Sequence, residues 1–322
     1  ELQYAVTAIT ADKKEIKSNV ATSPGAAKLL IHPYQMKLIP EKNLVVIRDY
    51  NTIFLVDYQE QIITKRREFP NKLGGFDLAT FNGKKELYVP SSDHNVYILD
   101  PITLDIIDVL NTDYSVQSVA MNSRGTLYLS SSHWQAPLKL YNRGTLSFIS
   151  QHGGEADCGI VLLSDNKLLT VSKHIDPATM SIYTFNDQGN LISHMDDPYN
   201  WHYEMDSERL KISANHIVTS TEGFVYRADN LTWVKTLEAG GSNHTDFEFS
   251  ADGNFIYAAV TTSRSIYQYT IDGTPGATTI ATNGYPWMLA RNDNELIVLS
   301  SPTLFYTNAT TNAIILERIK LN

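Results

Sequence analysis

One short pattern recurs along the whole chain and limits what it can fold into. "TIFLVDY" (52–58), "NVYILDP" (95–101), "PLKLYNR" (137–143), "MSIYTFND" (180–187), "FVYRADN" (224–230), "SIYQYTID" (265–272) and "TLFYTNA" (303–309) follow one another at steps of roughly 40 to 44 residues. Each is a short alternation of apolar and polar residues, most ending in Asp or Asn, which predicts a strand running into a turn. Each follows a second strand-like run, such as "NLVVIRD" or "TLYLSSS", and precedes a third, such as "DIIDVLN" or "TWVKTLE". No segment carries helical periodicity of useful length. A four-stranded unit cannot bury both of its faces alone, whereas a closed ring of such units can. The expected fold is all-β: a seven-bladed β-propeller of four-stranded antiparallel blades, occupying residues 29–322 as one domain. Residues 1–28, with the strand-like "LQYAVTAI", are left over. They are expected to be an N-terminal strand or arm that completes an end blade, or a linker from a preceding domain.

"DHNVYILDPITLDIIDVL" (93–110) and "SADGNFIYAAV" (250–260) resemble the YVTN-type, WD40-like propeller repeat. The resemblance implies the propeller architecture over most of residues 29–322. It implies little about activity, because that family includes surface-layer-like proteins, binding proteins and lactone-hydrolysing relatives.

Composition narrows the function classes. The 322-residue chain has a net charge of −9 and no dense basic run beyond "TKRREF" (64–69), which argues against nucleic acid or an anionic membrane as partner. No apolar run approaches the ~18 residues of a membrane-crossing helix. Cys158 is the one cysteine, so no intrachain disulfide can form, and its apolar setting in "CGIVLL" predicts a buried thiol. The chain opens "ELQYAV" and contains N-x-T sequons at Asn230, Asn243 and Asn308. A mature or trimmed chain that is secreted, periplasmic or at the cell surface fits these features.

In a propeller the first strand of each blade faces the central channel, and the residues leading into those strands surround one mouth. "NWHYEMDSE" (200–208) precedes blade 5 and places His202, Glu204 and Asp206 at alternate positions. "SNHTDFEF" (242–249) repeats that alternation in blade 6 with His244, Asp246 and Glu248. Asp77 in blade 2, and Glu155 and Asp157 in blade 4, fall at the same level. Carboxylates with histidine suit a divalent metal, Ca²⁺ or Zn²⁺, with His202, Glu204, His244 and Asp246 as candidate ligands. Residues i, i+2 and i+4 of one strand span roughly 13 Å, however, so at most one or two per blade could reach one ion. Otherwise these groups line a solvated polar channel or hold an organic ligand.

Aromatic residues gather at the same predicted mouth: Tyr34 beside His32, Trp134 beside His133, Trp201, Tyr285 and Trp287. Aromatic faces beside acids and amides suit sugars. Together with Asp77, Asp157, His202 and His244 they form the candidate ligand site. The leading expectation is a non-catalytic propeller that binds a small polar molecule, a glycan or a protein. The alternative is a metal-assisted hydrolase, lactonase-like, or a lyase, with its site at the central channel.

Overall fold

The computed structural model describes residues 2–4, 7–9, 15–17, 21–23, 28–133, 136–153, 158–172, 179–199, 210–219, 222–260, 262–271, 278–304 and 313–321. It is a seven-bladed β-propeller, each blade a four-stranded antiparallel sheet. The innermost strands are Gln35–Ile39, Asp77–Phe81, Val116–Met121, Cys158–Ser164, Lys211–Ile212, His244–Phe249 and Tyr285–Asn292, in blades 1 to 7.

The second strand of each blade is buried on both faces, as in Leu44–Arg48, where all five residues are buried. This explains why those segments read as continuous Val/Ile/Leu runs rather than alternations. The apolar core is divided into seven clusters, and each is shared by two consecutive blades. Val46, Leu55, Phe76 and Val89 join blades 1 and 2. Leu140, Cys158, Leu168 and Phe185 join blades 3 and 4. Cys158 is fully buried there, as its neighbours implied.

The Asp or Asn that ends most of the repeats has a clear local task. Asp57 Oδ1 accepts from the amides of Gln59 and Glu60, and Asp100 Oδ1 from those of Ile102 and Thr103. Asn142 Oδ1 accepts from the amide of Thr145. These carboxylate and amide oxygens satisfy amides that would otherwise be open where the third strand turns into the fourth.

Blade 7 departs from the repeat register. Its third strand is Ala313–Lys320, the segment expected to be fourth, and its fourth strand is Lys28–Leu30 from the other end of the chain. Blade 1 therefore begins at Gln35 rather than near residue 29. Leu29 and Ile31 enter the same cluster as Ile47 and Val56 of blade 1 and Leu299 and Leu316 of blade 7. The "TLFYTNA" motif contributes no strand at Thr303 or Leu304, and its remainder lies outside the described residues. Of the preceding segments, Leu2–Tyr4 pairs with Ala21–Ser23 and Thr7–Ile9 with Glu15–Lys17.

Candidate functional site

The innermost strands enclose an axial cavity of about 810 Å³, to which all seven blades contribute. Its shape depends on irregularities in the strands that line it. In blade 6 His244 pairs with Val260 and Asp246 with Ala259, so Thr245 is an extra residue, a β-bulge. The same insertion occurs at Gln117 in blade 3 and at Trp287 in blade 7. All three extra residues line the cavity.

The bulge corrects the expected alternation. His244 and Asp246 do not share a face, because the extra residue between them reverses the side on which each projects. Asp246 and Glu248 line the cavity. His244 is buried between blades, its ring 5.1 Å from that of Phe247 and 6.1 Å from that of Tyr269.

Two charged groups stand on the cavity wall. The first joins blades 5, 6 and 7. Lys211 Nζ donates to the Leu289 carbonyl at 2.8 Å and lies 3.3 Å from Asp246 Oδ2 and 3.8 Å from Glu248 Oε2. Asp246 also accepts from the amides of Phe247 and Leu289, both at 2.8 Å. Glu248 Oε1 accepts from the Phe249 amide at 3.0 Å. Burial pushes the carboxyls of Asp246 and Glu248 above the usual range, against the opposing pull of Lys211. Burial also works against the Lys211 ammonium, but the two carboxylates outweigh it and its pKa is raised.

The second group is Asp77, which accepts from Lys37 Nζ at 2.5 Å, from its neighbour's amide on Leu78 at 2.9 Å, and from the Met121 amide of blade 3 at 3.0 Å. Asp77 and Asp246 thus make the same connection. Each caps the amide of the next residue and takes one amide from the innermost strand of the following blade.

Among the described residues, His32, Pro33, Tyr34 and Trp287 line the mouth. Trp287 Nε1 donates to the Pro33 carbonyl at 3.2 Å. The Arg48 guanidinium lies 5.3 Å from the Tyr34 ring centre, and its Nη1 donates to the Leu73 carbonyl. The Gln35 amide bonds both ways with the backbone of Phe76, tying blade 1 to blade 2. Tyr285 is not in the cavity wall; its ring stacks under Arg264, 5.1 Å from the guanidinium carbon.

Of the candidates read from sequence, Tyr34, Asp77, Asp246 and Trp287 meet at this cavity, whereas His244 and Tyr285 do not. Trp134, Asp157, Trp201, His202 and Glu204 lie outside the described residues, as do Glu155 and Asp206. Among the described residues no group of three His, Cys, Asp or Glu side chains is placed to hold a metal ion. The described part of the proposed metal set does not fit one either: His244 faces away, and an ammonium already stands beside Asp246. The residues that sequence reasoning missed are Lys37, Arg48, Lys211 and Arg291. Their one visible signal was a lone cation within an otherwise strand-like run, as in "LKIS".

No protein-family description matches the chain, and no curated protein matches it by sequence. Among solved structures, the chain is similar to the β-propeller domain of Cps50 (Swd1) from Myceliophteria thermophila, with a TM-score of 0.67 and 10% identity over 92% of this chain and 100% of that one. In all, 1552 solved chains match, so the likeness establishes the β-propeller fold and leaves the function open. The resemblance to YVTN repeats is supported at the level of the propeller, not of that repeat type.

Proposed function

We propose that this propeller is a non-catalytic binding protein that takes a small polar organic molecule into its axial cavity. The observation that carries this reading is the cavity itself. It is about 810 Å³, the size of sites that hold small ligands, with aromatic rings at its mouth and fixed charges on its wall. A rigid ring of blades holds those groups in place before a ligand arrives, which lowers the ordering cost of binding. Exposed Asn230 and Asn243, each heading an N-x-T sequon, support a secreted, periplasmic or cell-surface location as part of the same proposal.

The test is a thermal-shift screen of the intact chain against neutral monosaccharides, carboxylates and amines. A ligand at 100 times its Kd stabilises the protein by about 2.7 kcal/mol. The expected result is one class that raises Tm in the wild type and fails to do so in Trp287→Ala. A sugar response would select the glycan reading of the mouth. No response from any class would overturn a small-molecule site and leave the rigid outer faces, as a protein platform, to be tested next.

A further inference from the structure

We propose that the ligand of the axial cavity is an organic cation, an ammonium or guanidinium group on an aliphatic body, whose N–H groups dock on Glu248. This inference rests on the reading of the cavity as a ligand site and names the chemistry of its occupant.

The argument begins with which charged groups of the wall are already saturated. Lys37 is held by Asp77, and Asp77 accepts from three donors. Arg291 donates to the carbonyls of Phe249 and Asp293. Asp246 accepts from two amides and faces Lys211, whose ammonium is also bound to the Leu289 carbonyl. Glu248 is different. Its Oε1 has the Phe249 amide, but its Oε2 has only the Lys211 ammonium at 3.8 Å, beyond hydrogen-bond reach. Its side chain keeps 20% of its surface open, and Glu248 lines both the axial cavity and a smaller adjoining recess beside Arg291. In the Lys211 group two carboxylates share one ammonium, with the Arg291 guanidinium as a second cation near Glu248. What Glu248 Oε2 lacks is a donor within hydrogen-bond reach.

The rest of the wall specifies the body attached to that donor. Leu38, Leu78, Val119, Val161 and Met288, from blades 1, 2, 3, 4 and 7, also line the space. All but Val119 are only half-buried, so they show apolar surface to the cavity that an alkyl chain would cover. A cation with an aliphatic body therefore matches both walls, whereas a carboxylate docked at the same place would be repelled by Glu248.

Docking a cation on Glu248 favours its carboxylate over its neutral acid, which burial otherwise promotes. Binding should then tighten as the pH rises through the range in which Glu248 titrates.

The test is titration calorimetry of the intact chain with n-butylammonium and n-hexylammonium, using n-hexanol and hexanoate as length-matched controls. The expected result is that the ammonium ions bind, hexylammonium more tightly, and that neither n-hexanol nor hexanoate matches them. Glu248→Gln should weaken hexylammonium by about tenfold or more, the range of a charged hydrogen bond, and leave n-hexanol unchanged. If Glu248→Gln does not fold by circular dichroism, the selectivity of the wild type for hexylammonium over n-hexanol and hexanoate decides, and its absence overturns the proposal. Equal or tighter binding of hexanol or hexanoate overturns the cation and leaves the cavity as a ligand site. If no member of the series binds while the thermal-shift screen finds another Trp287-dependent ligand, the cation proposal alone falls. If neither screen finds a ligand, both readings fall.

Discussion

At the scale of single residues, buried charge explains the sharpest sensitivities. Asp197 follows the last strand of blade 4 and is 8% exposed. Its Oδ1 accepts from the Tyr199 amide, while Oδ2 has no hydrogen-bond partner. Burial, with Asp196 beside it, raises its pKa to about 6. Between the ordinary carboxylate value and that one, the folded chain binds more protons than the unfolded chain. Its contribution to stability therefore falls as pH rises through this window. Asp197→Asn should flatten that slope and stabilise the protein at pH 7 by about 1–2 kcal/mol, a figure discounted for solvent screening. Urea unfolding at pH 4, 5, 6 and 7 would show it, and an unchanged slope would exclude Asp197 as the source. The Arg143–Glu86 pair is the reverse case. It is buried between blades 2 and 3 at 2.8 Å, with Tyr88 also donating to Glu86. Arg143→Met leaves that carboxylate alone and should cost about 3–5 kcal/mol in urea unfolding. Adding Glu86→Leu should restore part of the loss, because no charge then remains buried, although the Tyr88 hydroxyl loses its acceptor.

At the scale of elements, capped amides and tight backbone contacts join the innermost strands in addition to the apolar clusters. Asp77→Ala would leave the Met121 amide without its acceptor, for an expected loss of about 1–3 kcal/mol. Asp77→Asn keeps an acceptor there and should lose less, so equal losses in the two variants would show that the inter-blade bond is not what matters. Gly74 lies where the backbones of blades 2 and 3 pack against each other. A Cβ there would stand 2.3 Å from the Gln117 carbonyl oxygen, so Gly74→Ala must push the strands apart. The strand and turn pattern was open to reading in the sequence because a third strand and its Asp or Asn turn are local events. The bulges at Gln117, Thr245 and Trp287 were not. An extra residue looks like any other residue, and only pairing with the second strand shows that it opposes nothing. That is why His244 reads as a partner of Asp246 in sequence and packs against Phe247 and Tyr269 in the fold.

At the scale of the whole molecule, the ring is closed by non-covalent contacts between the ends of the chain. Lys28–Leu30 pairs with Ala313–Ile315 to complete blade 7. Trp287 reaches the Pro33 carbonyl and Asn292 reaches the Tyr58 hydroxyl, from blade 7 to blade 1. Deleting residues 1–30 removes the last strand of blade 7 and takes Leu29 out of the closing cluster. The expected outcome is a substantially lower Tm and broader unfolding, as the seam opens before the other blade junctions. A truncated chain that melts with the wild type would show that three strands suffice there. The same closure holds the axial cavity together, so truncation should also abolish any ligand-induced rise in Tm.

Sequence by itself determined the number of blades, the strands and turns of the first six, and the need for a ring, because hydrophobic periodicity and turn chemistry act over a few neighbouring residues. It also marked Tyr34, Asp77, Asp246 and Trp287 as residues leading into or lying on channel-facing strands. Tertiary structure alone decided which strand completes blade 7, which way His244 points, and that Lys211 stands between Asp246 and Glu248. The physical reason is the same in each case. These outcomes depend on contacts between residues as far apart as Leu30 and Ala313, or Lys211 and Leu289, and no short stretch of chain contains both partners.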